Sequence, residues 1–212
     1  MRYIQKTETP DFFINDTKRL KKWDKYISKK KRVLKEYILK EEQNYLCIYC
    51  ESKINLDNSH IEHIKPKGDK CYSKLTFEYK NLSISCNGTC HNGEKDKNQY
   101  NCGHKKQNEY NKILFLNPIE IKDIREYFKY NFDDYKILAS SKNSEKSNYM
   151  INTLQLNYNG LLLARKKALD NFITQMKKIK DINLRKERIK EKLNQENIEQ
   201  ISFLRYKYKN II

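Results

Sequence analysis

The chain has 212 residues, enough for one domain or one domain carrying a small embedded module, and too few for two large ones. Lys and Arg number 44 against 27 acidic residues, a formal charge of +17 that favours polyanionic partners such as nucleic acid or an acidic protein surface. Of the 44 cations 36 are Lys, and the chain is also rich in Asn, Ile and Tyr, a bias that base composition alone can produce, so the charge is weak evidence by itself.

The opening "MRYIQKTETPDFF" turns polar at once and offers no secretory leader, and the longest apolar run, "LLLA" at 161–164, is far short of the roughly 20 residues that cross a bilayer. The expectation is a cytoplasmic protein without membrane contact. Residues 17–40 place Leu20, Trp23, Ile27, Leu34 and Ile38 on one face of a helix covered elsewhere by Lys and Arg, with Thr17 or Asp16 as N-cap. Apolar alternation around Pro118 suggests extended segments, and 140–148 reads as a polar loop. Leu162, Leu169, Phe172, Ile173, Met176, Ile179 and Ile182 predict a helix over about 160–192, with another short one in 195–207.

All six cysteines (Cys47, Cys50, Cys71, Cys86, Cys90, Cys102) and all four histidines (His60, His63, His91, His104) lie between residues 47 and 104. Clustered cysteines in a chain without a leader usually hold metal. The spacing divides the chain into an N-terminal helical segment (1–45), a metal-type module (46–112) and a mostly helical remainder (113–212). Cys47-x-x-Cys50 is half of a tetrahedral thiolate site, which a second pair must complete. Cys86 with Cys90 is the compact choice, Cys86 with Cys102 the wider one, and Cys71 is spare in either.

Four thiolates around zinc leave no open coordination position, so chemistry must come from what they frame. In "SHIEHIKPKG" Ile61 and Ile64 alternate around Glu62 and His63 as in a strand, and Pro66 and Gly68 punctuate a following turn. A carboxylate beside an imidazole can serve a divalent cation and a water together, provided that the strand bends or ends so that both face one site.

Taken together, "CIYCE", "SHIEHIKPKG", "LTFEYKNLSISCNG" and "CGHKKQN" resemble the HNH endonucleases. The likeness is greatest to the PtuB-like HNH proteins of Septu-type antiphage systems, which accompany a PtuA-like ATPase and also occur beside some retrons. "MRYIQKTETPDFF", "NPIE", "YFKY" and "TLQLNYNGLLLARKKAL" extend it over most of the chain. The resemblance implies an α+β fold: a zinc-braced ββα-metal module embedded in a mainly helical domain. It implies His63 as general base, Glu62 as acidic ligand of a catalytic Mg²⁺ or other divalent cation, Asn81 as the residue that ties the loop and orients the base, and His104 as the last cation-facing position. Cys47, Cys50, Cys86 and Cys102 become the structural Zn²⁺ ligands. The segment Cys90-His91-Asn92 independently resembles the family's usual ending, with Cys90 and His91 replacing Cys102 and His104. His60 and Lys105 are read as supporting or phosphate contacts, with a plain surface role as the other option. The implied reaction is hydrolysis of phosphodiester bonds in DNA, with tRNA or another RNA as further substrates. A zinc-ribbon nucleic-acid-binding or adaptor module without catalysis and a free-standing toxin or mobile-element nuclease are the competing readings.

Overall fold

The computed structural model describes residues 1–88 and 99–212, so the Cys90 and His91 alternative lies outside the described residues. The fold is α+β. In order come α1 (Asp11–Thr17), α2 (Ser28–Ile38), β1 (Ser59–His63), β2 (Leu82–Cys86), α3 (Cys102–Lys106), β3 (Phe128–Tyr130), β4 (Ile137–Ala139), α4 (Ser144–Thr153), α5 (Asn159–Lys177), α6 (Ile182–Leu193) and α7 (Ile201–Lys207). None of the described helices is long and apolar enough to cross a membrane.

The helix expected over 17–40 is a correction. Pro10, whose fixed φ suits a helix start, opens α1 seven residues earlier. Thr17 ends α1 instead of capping a helix, its hydroxyl donating back to Phe13 O at 2.7 Å. Trp23–Lys25 forms a single 3-10 turn, and α2 then starts at Ser28. Ile27, assigned to the apolar face, is 56% exposed, whereas Leu34 and Ile38 are buried. A five-residue π-turn, Leu39–Gln43, continues α2, and Asn44 closes it in the left-handed conformation.

Two further expectations are revised. The polar stretch 140–148 is not all loop, because Asn143 caps α4 by accepting from Lys146 N at 3.0 Å. The long helix over 160–192 is two helices. Asp181 accepts from Leu184 N at 2.8 Å and starts α6 afresh, leaving Ile182 65% exposed. Strand pairing in the 113–139 region is confined to the β3–β4 hairpin, while Pro118 sits in a turn whose carbonyl accepts from Ile4 N.

β1 and β2 pair antiparallel in the register His60↔Ser85, Ile61↔Ile84, Glu62↔Ser83 and His63↔Leu82. A two-stranded ribbon is marginal alone and needs its free edge and faces covered. Gln43 covers β2: its Oε1 accepts from Ser83 Oγ and Ile84 N, both at 2.7 Å, and its Nε2 donates to Ile84 O and Leu46 O at 2.8 Å. α3 crosses one face, where Gly103 N donates to Ser85 Oγ at 3.0 Å. One hydrophobic cluster runs from Ile4 and Phe13 through Ile48, Ile64 and Ile84 to Leu154, Phe172 and Phe203, so the hairpin and the later helices share a core.

Candidate metal centre and catalytic cleft

The hairpin and α3 support two clusters. In the first, the chain turns tightly after Leu46: Cys47 N donates to Ser52 O, Glu51 N to Cys47 O, and Glu51 takes φ +60° to close the knuckle. That turn brings Cys47 and Cys50 beside Cys86, at the end of β2, and Cys102, the first residue of α3. All four are buried, none is in a disulfide, and their sulfurs lie within 4.8 Å of one another. Cys50 and Cys86 Sγ are 3.8 Å apart. Sulfurs around a tetrahedral zinc with bonds of about 2.3 Å are separated by about 3.8 Å, so the group fits that ion. Cys86 N donates to Cys47 Sγ at 3.3 Å, a contact suited to a thiolate. Cys71 is exposed and apart from this group.

The second cluster borders a cleft of about 470 Å³ lined by His60, Glu62, His63, Lys67, Gly103 and His104, among others. Glu62 and His63 leave β1 toward opposite faces, but the strand stops at His63 and the cleft wraps that end, so both border it.

His63 is held from two sides. Its Nε2 lies 3.0 Å from Thr76 O, and Trp23 packs edge-on against the ring at 4.5 Å. A carbonyl only accepts, so the proton sits on Nε2 and Nδ1 keeps its lone pair. Burial, then the charge of Lys67, push the imidazole down to about 4, against the pull of Thr76 and Glu62. His63 is therefore a neutral base at pH 7. Asn81 sets the position of Thr76: its Nδ2 donates to Lys65 O at 2.9 Å and Leu75 O at 3.2 Å, and its Oδ1 accepts from Lys65 N at 2.8 Å. These bonds close the loop between the strands.

Glu62 is 6% exposed, with Oε1 taken by Lys106 Nζ at 2.9 Å and Tyr49 OH at 3.0 Å. Burial alone would raise its carboxyl, but Lys106, and after it His60 when its ring is protonated, bring it down to about 2. Its Oε2 faces His60 Nε2 at 3.5 Å. His60 Nδ1 is 3.1 Å from Asn87 Oδ1, an acceptor, so in the neutral ring Nε2 carries the lone pair that meets the carboxylate. The His104 ring stacks on His60 at 4.2 Å, and its buried Nδ1 has no hydrogen-bond partner among the described residues. Burial, then His60, lower the pKa of His104. A Cβ on Gly103 would lie 2.6 Å from both Glu62 Oε2 and His60 Nε2, so only glycine lets α3 come this close. His60 Nε2 and Glu62 Oε2 together suit a divalent cation, with His104 beside them, although among the described residues the four cysteines are the only set of three or more such groups whose ligand atoms all lie within 4.8 Å of one another.

The chain is 32% identical over 142 residues to a protein of Vibrio cholerae serotype O1 biovar El Tor named "Retron Vc95 putative HNH endonuclease". The match supports the HNH endonuclease family. It covers 65% of this chain and 64% of that relative, so the chain spans less than two thirds of the relative's length. No family model matches the chain.

Around the cleft the structure brings together Glu62, His63 and His104, with Asn81 behind the loop. Lys105 is half-buried and is not among the lining residues. Sequence reading did not find Lys106, Gly103, Tyr49 or the place of Trp23 in this site. A signal existed for Lys106: it follows Cys102 by four residues, hence shares its inward face.

Proposed function

We propose that the protein is a metal-dependent HNH endonuclease that hydrolyses phosphodiester bonds in nucleic acid, DNA foremost. The observation that carries this reading is the contact of His63 Nε2 with Thr76 O at 3.0 Å beside the cleft, which assigns the proton to Nε2 and leaves Nδ1 as the base. His63 Nδ1 takes a proton from water as its oxygen attacks the phosphorus in line with the departing 3′ oxygen. Glu62 and the adjacent His60, with His104 beside them, would hold a Mg²⁺ or other divalent cation, which would supply charge neutralisation at the scissile phosphate. Lys106 and Tyr49 fix the Glu62 carboxylate so that Oε2 is turned to the cleft. Asn81 acts as a positioning residue through Thr76. Cys47, Cys50, Cys86 and Cys102 hold a structural Zn²⁺ that pins β2 to α3.

The relative's printed name ties it to a retron. We extend that association to this chain: an effector nuclease of a bacterial antiphage system, PtuB-like, held in check by a PtuA-like ATPase. The test is cleavage of plasmid DNA with Mg²⁺ or Mn²⁺ by wild type and His63→Ala, with zinc measured on both. A loss of about 100-fold or more in His63→Ala, with zinc retained, is expected. Equal cutting by the two proteins removes His63 from catalysis, and no cutting of DNA or RNA by wild type, with or without the ATPase, refutes the nuclease.

A further inference from the structure

A second groove, of about 450 Å³, adjoins the cleft and shares His60 and Ile61 with it. Its wall is α2. Ser28, Lys31, Arg32 and Lys35 recur at i, i+3, i+4 and i+7, so they form one stripe down the helix, and all four line the groove. Trp23, which touches His63, lines it as well.

The cations of this stripe differ in what holds them. Lys35 is structural: it donates to Leu56 O and to Ser59 O at 2.8 Å, tying α2 to the start of β1. Arg32 pairs with Asp57 at 3.1 Å, but both side chains are more than half exposed, and such solvent-screened pairs hold a side chain only weakly. Lys31 has no carboxylate within salt-bridge distance among the described residues and lies 5.3 Å from the centre of the Trp23 ring. Lys67, on the wall of the catalytic cleft, also has no such partner among the described residues. The charge of Lys31 reaches Lys67 and disfavours its protonation, after the larger effects of burial and of Glu62 and Lys106. Like charges gathered beside a hydrolytic cleft lower their mutual repulsion when an anion lies between them.

Resting on the nuclease reading above, we infer that Arg32, Lys31 and Lys67 form a phosphate track that lays a nucleic-acid backbone along α2 and across His63. The row supplies three separate cations leading to one base, which suits a polymer of evenly spaced phosphates better than a single anion. Trp23 forms the floor beside His63, where sugar or base can rest on its face. The same face could attract an acidic protein, but continuity with the catalytic groups favours the substrate.

The test measures binding apart from cutting. The 212-residue chain carrying His63→Ala, without added divalent cation, is titrated against a fluorescein-labelled 20-base-pair DNA duplex and a single-stranded RNA by anisotropy over a range of salt. Lys31→Gln/Arg32→Gln/Lys67→Gln is compared with a charge-matched control, Lys166→Gln/Lys167→Gln/Lys186→Gln, on exposed positions of α5 and α6. The track variant should bind at least tenfold more weakly, and its salt slope should fall by about 2 to 3, since each phosphate contact contributes about 0.9. The control should stay within about twofold. Circular dichroism and zinc content report folding, and the single Lys31→Gln and Lys67→Gln variants decide the matter if the triple variant misfolds. Equal binding by track variant and parent overturns the track, while cleavage by the protein with His63 intact then keeps the nuclease reading alive. Binding of polyglutamate in place of either nucleic acid overturns it in favour of an acidic protein partner. Wild type that neither binds nor cuts removes both inferences together.

Discussion

The cysteine cluster and the cleft beside it are built from the same hairpin and the same short helix, yet they solve opposite problems. The four sulfurs are alike, buried and turned toward one point, so one ion can satisfy all of them. The cleft brings together unlike groups and leaves them incompletely satisfied: a carboxylate half engaged by Lys106, an imidazole fixed at one nitrogen, and another with a nitrogen unpartnered among the described residues. Closure gives stability, and incompleteness gives chemistry.

The sharpest way to break the comparison is at the sulfurs. Cys47→Ser should lose zinc and unfold the hairpin module, because structural zinc sites carry about 10 kcal/mol or more of binding energy that serves folding. Zinc analysis and thermal melting check this, and a variant that keeps its melting point would show the cluster to be dispensable. Next comes Lys106→Ala, which should cost about 3 to 5 kcal/mol by leaving Glu62 buried without its cation. Zinc should remain bound. Replacing Glu62 by Gln in the same chain should recover much of that loss in urea melts, whereas simple additivity would deny the coupling.

Gly103→Ala tests the cleft at its narrowest point. The added methyl meets Glu62 and His60, so Mn²⁺ binding measured by calorimetry should weaken about tenfold or more, with zinc content and fold preserved. Unchanged Mn²⁺ affinity would move the cation elsewhere.

The smallest effect concerns protons. His63 titrates near 4 in the folded chain against about 6.5 unfolded, so the unfolded state binds more protons between those values. Stability from this group is complete above about pH 6.5 and is lost as pH falls toward 4. The acid limb of cleavage should lie correspondingly low. Lys67→Gln removes a charge that opposes the imidazolium, so the limb should move upward, lowering the ratio of pH 5 to pH 7 activity by less than about tenfold. A limb that stays put would place another group in control of it.

The cleft was partly legible in the sequence because its parts are rare and ordered. The histidines and cysteines are confined to one region, Ile61 and Ile64 alternate as a strand requires, and Asn81 precedes β2. What escaped depends on neighbours distant in the chain. Leu20, Trp23 and Ile27 follow helical spacing faithfully, yet Trp23 is drawn into a ring cluster with His63, Tyr26 and Phe77, and that packing wins over periodicity. Lys105 and Lys106 are identical by composition, but only Lys106 turns inward, and it does so because Glu62 is there to meet it. The start of α4 was hidden by its polarity, although Asn143 carries the cap that begins it.

α3 is five residues long and contains members of both clusters: Cys102 on the sulfurs, Gly103 and His104 at the cleft, Lys106 beneath Glu62. It has too few turns to hold itself as a helix. Its anchorage at Cys102 therefore works as an interlock: a chelator or oxidant that frees this one thiolate also unseats the groups around His63. The cleft would be disarmed at the sulfurs, without any agent entering it.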